Sequence, residues 1–266
     1  MAKIFKEKYG DWALVTGATS GIGAEIANQL AAKGLNIVLV ARKEKELIEN
    51  AARIKQLYNV DTSFISADIS TEEGIEKVKQ VDKEIGLLAL AAGVEVNGAF
   101  DKTSLEKELQ LIQLNVASTF HLTHHFSKPM VERKRGGILM ISSLVAHMVA
   151  PYFSNYAGSK AYVLHMGASL HGELKPKGVD VSVLSPGLTK TAMAAGASVD
   201  WDKLPMAEKE PSVVAEIAIN GLGKRFLSIP GVRNKLISWM ANLTPLGMQA
   251  KLDEMMIKRA IHAARL

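Results

Sequence analysis

The sequence predicts a doubly wound α/β fold: a parallel sheet of about seven strands, helices on both faces, and a helical C-terminal extension. Three observations carry this. Short apolar runs alternate with stretches of helical period through about residue 190, the pattern of right-handed crossovers in a parallel sheet. The first run, Trp12–Val15, passes into Thr16-Gly17-Ala18-Thr19-Ser20-Gly21-Ile22-Gly23 and then into helical spacing at Ile22, Ile26, Leu30 and Ala31. Residues able to do chemistry or bind phosphate recur just past the predicted strand ends: Gly17, Arg42, Asp68, Gly93, Ser143 and Pro186-Gly187. In an open parallel sheet those ends share one edge, where ligands bind.

In order, the helix after the first strand begins near Ser20 or Gly21, and Gly34 suits its C-terminal cap. Asn36–Val40 reads as the second strand, with a helix over Lys43–Leu57. Thr62–Ala67 is the third strand, closing on Asp68-Ile69. A polar helix follows over Thr71–Ile85, capped by Ser70 or Thr71. Leu87–Ala92 is the fourth strand, ending at Gly93. A long helical stretch from Ser104 to about Val131 holds Asn115, and Gly137–Ser142 is the fifth strand. The Asn155–Leu174 helix is stopped by Pro176 and Gly178, and Val179–Leu184 is the sixth strand. Pro211 opens a helix to about Leu222. The tail from Phe226 to Leu266 contains one amphipathic helix with Met248, Leu252, Met255, Met256 and Ile261, and basic Lys251, Lys258, Arg259 and Arg265 among them. No linker or repeat interrupts the chain. The expectation is one domain over 1–266, with a core at 8–225 and a tail at 226–266.

Composition narrows the function classes. With 48% hydrophobic residues there is ample material for a core. Cysteine is absent, so no disulfide framework or thiolate metal site exists. That fits a reducing, cytoplasmic setting. The start MAKIFKEKYGDW lacks the apolar stretch of a signal peptide, and no run approaches the ~18 apolar residues of a membrane span. The net charge of +5 comes without a basic stripe interleaved with aromatics, so no nucleic-acid partner is expected.

The glycine turn aims bare backbone N–H groups and a helix N-terminus at a phosphate. Gly17 lets the chain turn, Gly21 removes a Cβ where a pyrophosphate approaches, and Gly23 lets the helix lie close to the strands. Its spacing is G-x-x-x-G-x-G, not G-x-G-x-x-G. The second strand ends without an acid and Arg42 follows, which favours a 2′-phosphate and hence NADP(H) over NAD(H). Tyr156 and Lys160, four apart, share one helix face. A nearby ammonium favours phenolate and lowers a Tyr pKa, so the pair suits proton exchange with a carbonyl oxygen. His121, His124 and His125 have helical spacing but sit away from the active edge with no evident carboxylate partner, so no metal is expected.

These motifs together resemble the short-chain dehydrogenase/reductase family in its compact single-domain form. The resemblance covers roughly Tyr9 to Leu222, through TGATSGIG (16–23), Asp68, the Gly of an N-N-A-G-like segment (90–93), Asn115, Ser143, YAGSK (156–160) and SPG (185–187). It implies Tyr156 as general acid/base. It implies that Lys160 binds the nicotinamide ribose and lowers the Tyr pKa, that Ser143 bonds the substrate carbonyl, and that Asn115 supports a proton relay. For the cofactor it implies Gly17, Thr19, Ser20, Gly21, Ile22 and Gly23 around the phosphates, Arg42, Asp68, Ile69 and Gly93 on the adenosine side, and Pro186, Gly187, Thr189 and Thr191 over the nicotinamide. Ser142 competes with Ser143, and the 13-residue spacing to Tyr156 favours Ser143. One departure stands out: the family's N-N-A-G reads Leu90-Ala91-Ala92-Gly93, which removes two bracing asparagines.

Substrate identity is expected in Val94–Phe100, Leu144–Phe153 and Leu188–Met206, with 188–206 as a mobile lid. Val145, His147, Phe153 and Met193 are the candidate contacts, in an apolar pocket for a fatty, steroid-like or polyketide carbonyl. The opening and second strand look similar to the 3-oxoacyl-CoA reductase and 17β-hydroxysteroid dehydrogenase branch. A homodimer or homotetramer is expected, and the tail favours packing or an interface ahead of a membrane surface. The expected activity is NADP(H)-dependent reduction of an apolar ketone, reversibly. The alternative is a non-catalytic NADP-binding sensor or scaffold.

Overall fold

A computed structural model describes residues 2–261. Seven parallel strands form one sheet in the order β3-β2-β1-β4-β5-β6-β7. They are β1 (Trp12–Thr16), β2 (Asn36–Ala41), β3 (Thr62–Ser66), β4 (Ile85–Leu90), β5 (Gly136–Ile141), β6 (Val179–Leu184) and β7 (Leu227–Ser228). The helices are α1 (Ala2–Tyr9), α2 (Gly21–Ala32), α3 (Glu44–Tyr58), α4 (Glu72–Lys79), α5 (Leu105–Ile112), α6 (Ser118–Glu132), α7 (Ser154–Leu174), α8 (Ala192–Gly196), α9 (Pro211–Gly221), α10 (Val232–Leu243) and α11 (Leu246–Ala260).

The inner strands β1, β2, β4 and β5 are apolar on both faces because both faces are covered, whereas the edge strand β3, TSFIS, is half-buried. Ala13, Val15, Ile37 and Leu39 point to one side, where they meet Ile26 and Leu30 of α2, Leu47 of α3 and Val214 of α9. Leu14, Val38, Val40 and Leu88 point to the other, against Ile75 of α4, Leu122 and Phe126 of α6 and Val163 of α7. Strand order reverses between β1 and β4, and that switch point opens a crevice at the carboxyl edge.

Several elements differ from the sequence expectation. The α4 helix ends at Lys79, not Ile85, because Ile85 is 3% exposed and opens β4. The long 104–131 stretch is α5 and α6 joined by a π-helical turn at Gln113–Ala117. The tail supplies β7 and two helices, with Thr244-Pro245 between them. Residues 262–266 of the expected tail, Arg265 included, lie outside the described residues. Helix α1 was not anticipated. Its Tyr9 is buried, and Tyr9 Oη donates to Asp180 Oδ2 at 2.9 Å beside Lys8 Nζ at 2.6 Å. Gly137 makes the room: a Cβ there would stand 2.8 Å from the Tyr9 ring.

The 188–206 segment carries α8 and a 3-10 turn, Trp201–Lys203. It is tied near its start by a bridge from Thr189 to Lys209 and at its middle by another from Val199 to Ile261. Asp200 N also donates to Ala260 O at 2.7 Å. A third apolar cluster joins Phe153 and Tyr156 to Val199, Ile257 and Ile261, so the tail closes over the start of α7.

Candidate active site

The carboxyl edge gathers the predicted residues. Gly17 (φ 68°) and Gly21 (φ 56°) hold left-handed backbone that suits glycine. A Cβ on Gly23 would stand 2.3 Å from Gly17 O, so only glycine lets α2 start this close to β1. Ser20 precedes α2 and gives it no side-chain cap, leaving the first amides for an anion. Thr19 O accepts from Asn50 Nδ2 at 3.2 Å, which fixes the turn against α3. These positions fit a dinucleotide pyrophosphate.

On the adenosine side, Arg42 Nη1 lies 4.0 Å from Asp68 Oδ2, and both are well exposed. Asp68 Oδ1 also accepts from Ser70 N and Ser70 Oγ. Burial raises its pKa and these bonds and Arg42 outweigh that, so the carboxyl is held below its ordinary range. Ile69 packs into the core with Val38 and Ile75. Where the family's asparagines are missing, Thr16 Oγ1 accepts from both Ala91 N and Ala92 N at 3.1 Å. One β1 hydroxyl therefore braces the end of β4.

The proton-transfer residues converge from three elements. Ser143 follows β5, and its Oγ accepts from Val145 N at 3.4 Å. Ser142 spends its hydroxyl on Lys160 O at 2.7 Å, and Ser143 lines the cavity. Tyr156 and Lys160 lie on α7, with Lys160 Nζ 5.7 Å from the Tyr156 ring centre and 3.1 Å from Ile141 O, to which it donates. Asn115 sits in the π-helical turn, a distortion often kept at functional sites. Its Oδ1 accepts from Val94 N (3.0 Å), and its Nδ2 donates to Val94 O (2.9 Å) and Ser159 Oγ (3.1 Å). The side chain thus clamps the loop after β4 to α7. A Cβ on Gly93 would meet Asn115 Oδ1 and Lys160 Nζ at 3.2 and 3.3 Å, so glycine keeps those two groups adjacent.

The electrostatics correct one expectation. Tyr156 is pushed above the ordinary phenol value, first by burial and then by Glu95, while a hydrogen bond with Ser143 opposes this. Lowering by Lys160 does not dominate. Burial brings Lys160 itself down to about 8, with Glu95 opposing. Glu95 was not singled out from sequence, because a lone acid in an apolar loop matches no motif. It lines the cavity and accepts from Asn97 Nδ2 at 3.1 Å, and burial raises its pKa.

The cavity holds about 340 Å³ and is largely apolar. Val145, Phe153 and Met193 lie on its wall, with Ile22 of the glycine turn. Leu144–Phe153 and 188–206 both contribute, whereas Val94–Phe100 contributes Glu95 alone. His147 is not on the wall: its ring Nε2 lies 3.1 Å from Ser185 Oγ, and burial followed by His165 holds its pKa below the ordinary value. Ile237 and Met240 of α10 and Leu252, Asp253 and Met256 of α11 complete the wall, a tail contribution that sequence reading left open. Among the described residues, none on the wall is basic. Glu76 of α4 faces His121 and His125 but pairs with Lys79, and among the described residues no group of three potential metal ligands gathers.

A family model for short chain dehydrogenases matches residues 11–201. A 7beta-hydroxysteroid dehydrogenase of Collinsella aerofaciens is 30% identical over 90% of this chain and 94% of its own. A Homo sapiens protein named inactive hydroxysteroid dehydrogenase-like protein 1 is 35% identical over 82% of this chain and 67% of its own. Among solved structures, a short-chain dehydrogenase from Sphingobium yanoikuyae in complex with NADPH superposes with a TM-score of 0.79 at 29% identity, covering 88% of this chain and 94% of that one.

Proposed function

Because the chain belongs to the short-chain dehydrogenase family and is an oxidoreductase, we propose that it reduces the ketone of an apolar substrate with NADPH, reversibly, using Tyr156 as acid and base. One observation supports this most: Ser143 and Tyr156 stand together on the wall of an apolar cavity that also touches the glycine turn at Ile22. The relative solved with NADPH supports the cofactor.

The bound nicotinamide supplies hydride chemistry at the substrate carbon. The chain's own residues do the rest. Ser143 Oγ donates to the carbonyl oxygen and orients it. Tyr156 Oη gives that oxygen its proton in reduction and takes it back in oxidation. Burial keeps the phenol protonated at neutral pH, the form reduction needs. Lys160, near neutral pH below its pKa of about 8, remains largely ammonium and can hold a ribose hydroxyl. Asn115 fixes the post-β4 loop beside it. Arg42 serves the 2′-phosphate, and apolar walls exclude water from the transfer. Exposed Leu105, Leu109 and Phe120 supply a face for a homodimer or homotetramer.

The test is NADPH consumption across 3-oxoacyl thioesters, ketosteroids and quinones. Tyr156→Phe should abolish turnover by several orders of magnitude while leaving the NADPH Kd near wild type. A fully active variant sinks the assignment. Arg42→Ala should erase the preference for NADPH over NADH, and equal wild-type affinities would refute that preference. A second reading, a non-catalytic NADP-binding sensor or scaffold, is favoured by the relative whose name calls it inactive. Tight NADPH binding with no turnover across the panel would select it.

A further inference from the structure

Helix α10 buries polar residues, lines the cavity with Ile237, Met240 and Ala241, and leaves a third, apolar face outward. Its buried side is polar: Asn234 and Ser238, one turn apart, are 3% and 5% exposed, and Asn234 Nδ2 donates to Pro230 O at 2.7 Å. Its exposed side is apolar: Val232, Leu236, Trp239 and Leu243 recur at i, i+4, i+7 and i+11, with Val232 82%, Trp239 60% and Leu243 65% exposed. Past Pro245 the exposed apolar residues continue on α11 with Leu246, Met248, Leu252 and Met255. Scattered exposed leucines need no account, but a run along two successive helices does.

Two further observations say what covers it. The charge is one-sided. Helices α10 and α11 carry Arg233, Lys235, Lys251, Lys258 and Arg259 against Asp253 and Glu254. Glu254 pairs with Lys258 at 3.4 Å, and Asp253 lines the cavity. The exposed face and the cavity also share residues: Met240 and Leu252 are exposed and at the same time line the cavity. An apolar face with Trp and flanking cations matches a bilayer interface with anionic headgroups.

We propose that the α10–α11 pair docks on an anionic lipid bilayer, with Trp239 and Leu243 in the acyl boundary and the cations at the headgroups, so that the cavity opens toward the membrane. Drawing an apolar ketone from the lipid rests on the proposed activity; docking does not. A second copy of this chain fits less well, since a symmetric pairing would oppose two cationic faces and stopper both cavities.

The test is flotation of the full chain with phosphatidylcholine vesicles, with and without phosphatidylglycerol. Wild type should float with the anionic vesicles, less so as salt rises, with a blue shift in tryptophan emission. The double variant Trp239→Ser/Leu243→Ser should lose binding by roughly tenfold or more. It should keep its activity on a small water-soluble ketone, because neither residue lines the cavity. Arg233→Glu/Lys235→Glu should lose the preference for anionic vesicles. Tyr156→Phe should still float, which separates docking from catalysis. No flotation at low salt overturns the proposal. So does a double variant that still floats but sediments as a monomer where wild type is a dimer, since that assigns the face to a second copy.

Discussion

Lys160 is a cation placed where the fold resists charge. Its burial lowers the pKa from 10.5 to about 8, and Ile141 O is the acceptor holding the ammonium. Below pH 8 the amine is protonated in folded and unfolded states, and folding carries the full desolvation cost. Between about pH 8 and 10.5 the unfolded chain still binds the proton and the folded one does not, so stability rises with pH. The shift corresponds to about 3 kcal/mol. Lys160→Met should therefore be inactive yet more stable than wild type at pH 7, by about 1–3 kcal/mol, with the gap closing toward pH 10.5. Urea unfolding at a series of pH values checks this, and a variant less stable at pH 7 contradicts it. Glu95 acts on the other partner. When ionised it raises the Tyr156 phenol. Glu95→Gln should move the alkaline fall of ketone reduction, and the matching rise of alcohol oxidation, to lower pH. Unmoved pH–rate profiles would show that Glu95 does not act on the phenol. The serine, tyrosine and lysine were legible because their spacing is stereotyped. The raised phenol was not, since burial and Glu95 push it up against the hydrogen bond with Ser143, and neither burial nor the approach of Glu95 shows in the motif.

At the scale of elements, the seam between β1 and β4 organises the edge. Thr16 Oγ1 serves two amides that follow β4, and a Cβ on Gly17 would come within 2.9 Å of Ala92. Thr16→Val keeps the shape and removes the acceptor, leaving Ala91 N and Ala92 N unpaired. The expected cost is about 1–3 kcal/mol, read from the urea midpoint, with a weakened NADPH Kd; Thr16→Ser should restore both. Equal stability of the valine variant would show that the brace is dispensable. Strands β1, β2, β4 and β5 were legible because each is a short, largely apolar run bounded by turn residues, and β3 (TSFIS) and β6 (VDVSVL) because β-branched and aromatic residues recur between turn signals. Strand β7 was not, because two residues leave no pattern and its place is set by pairing with β6. The π-helical turn escaped too: Gln113–Ala117 looks helical in sequence, and the extra residue shows only when Asn115 is seen gripping Val94.

At the scale of the molecule, the tail is part of the site. Gln249 of α11 accepts from Val149 N at 3.0 Å and donates to Thr244 O at 2.8 Å, which ties the tail to the loop after β5. With the Val199–Ile261 bridge, this makes the segment over the cavity a tethered roof. Periodicity indicated that the tail is amphipathic but not which side faces the protein, and α10 buries Asn234 and Ser238 while turning Ile237 and Met240 to the cavity. At the opposite end of the sheet, the Tyr9 contact with Asp180 has an optical consequence. Burial and then the Asp180 carboxylate hold the Tyr9 phenol far above its ordinary value of about 10. Of five tyrosines, this one should therefore stay colourless in alkali that ionises a free phenol. Its phenolate absorbance should appear in one abrupt step, coincident with loss of circular dichroism, and a gradual titration of all five with the fold intact would contradict this. The chain carries its own optical gauge of alkaline unfolding, one that needs no label and no substrate.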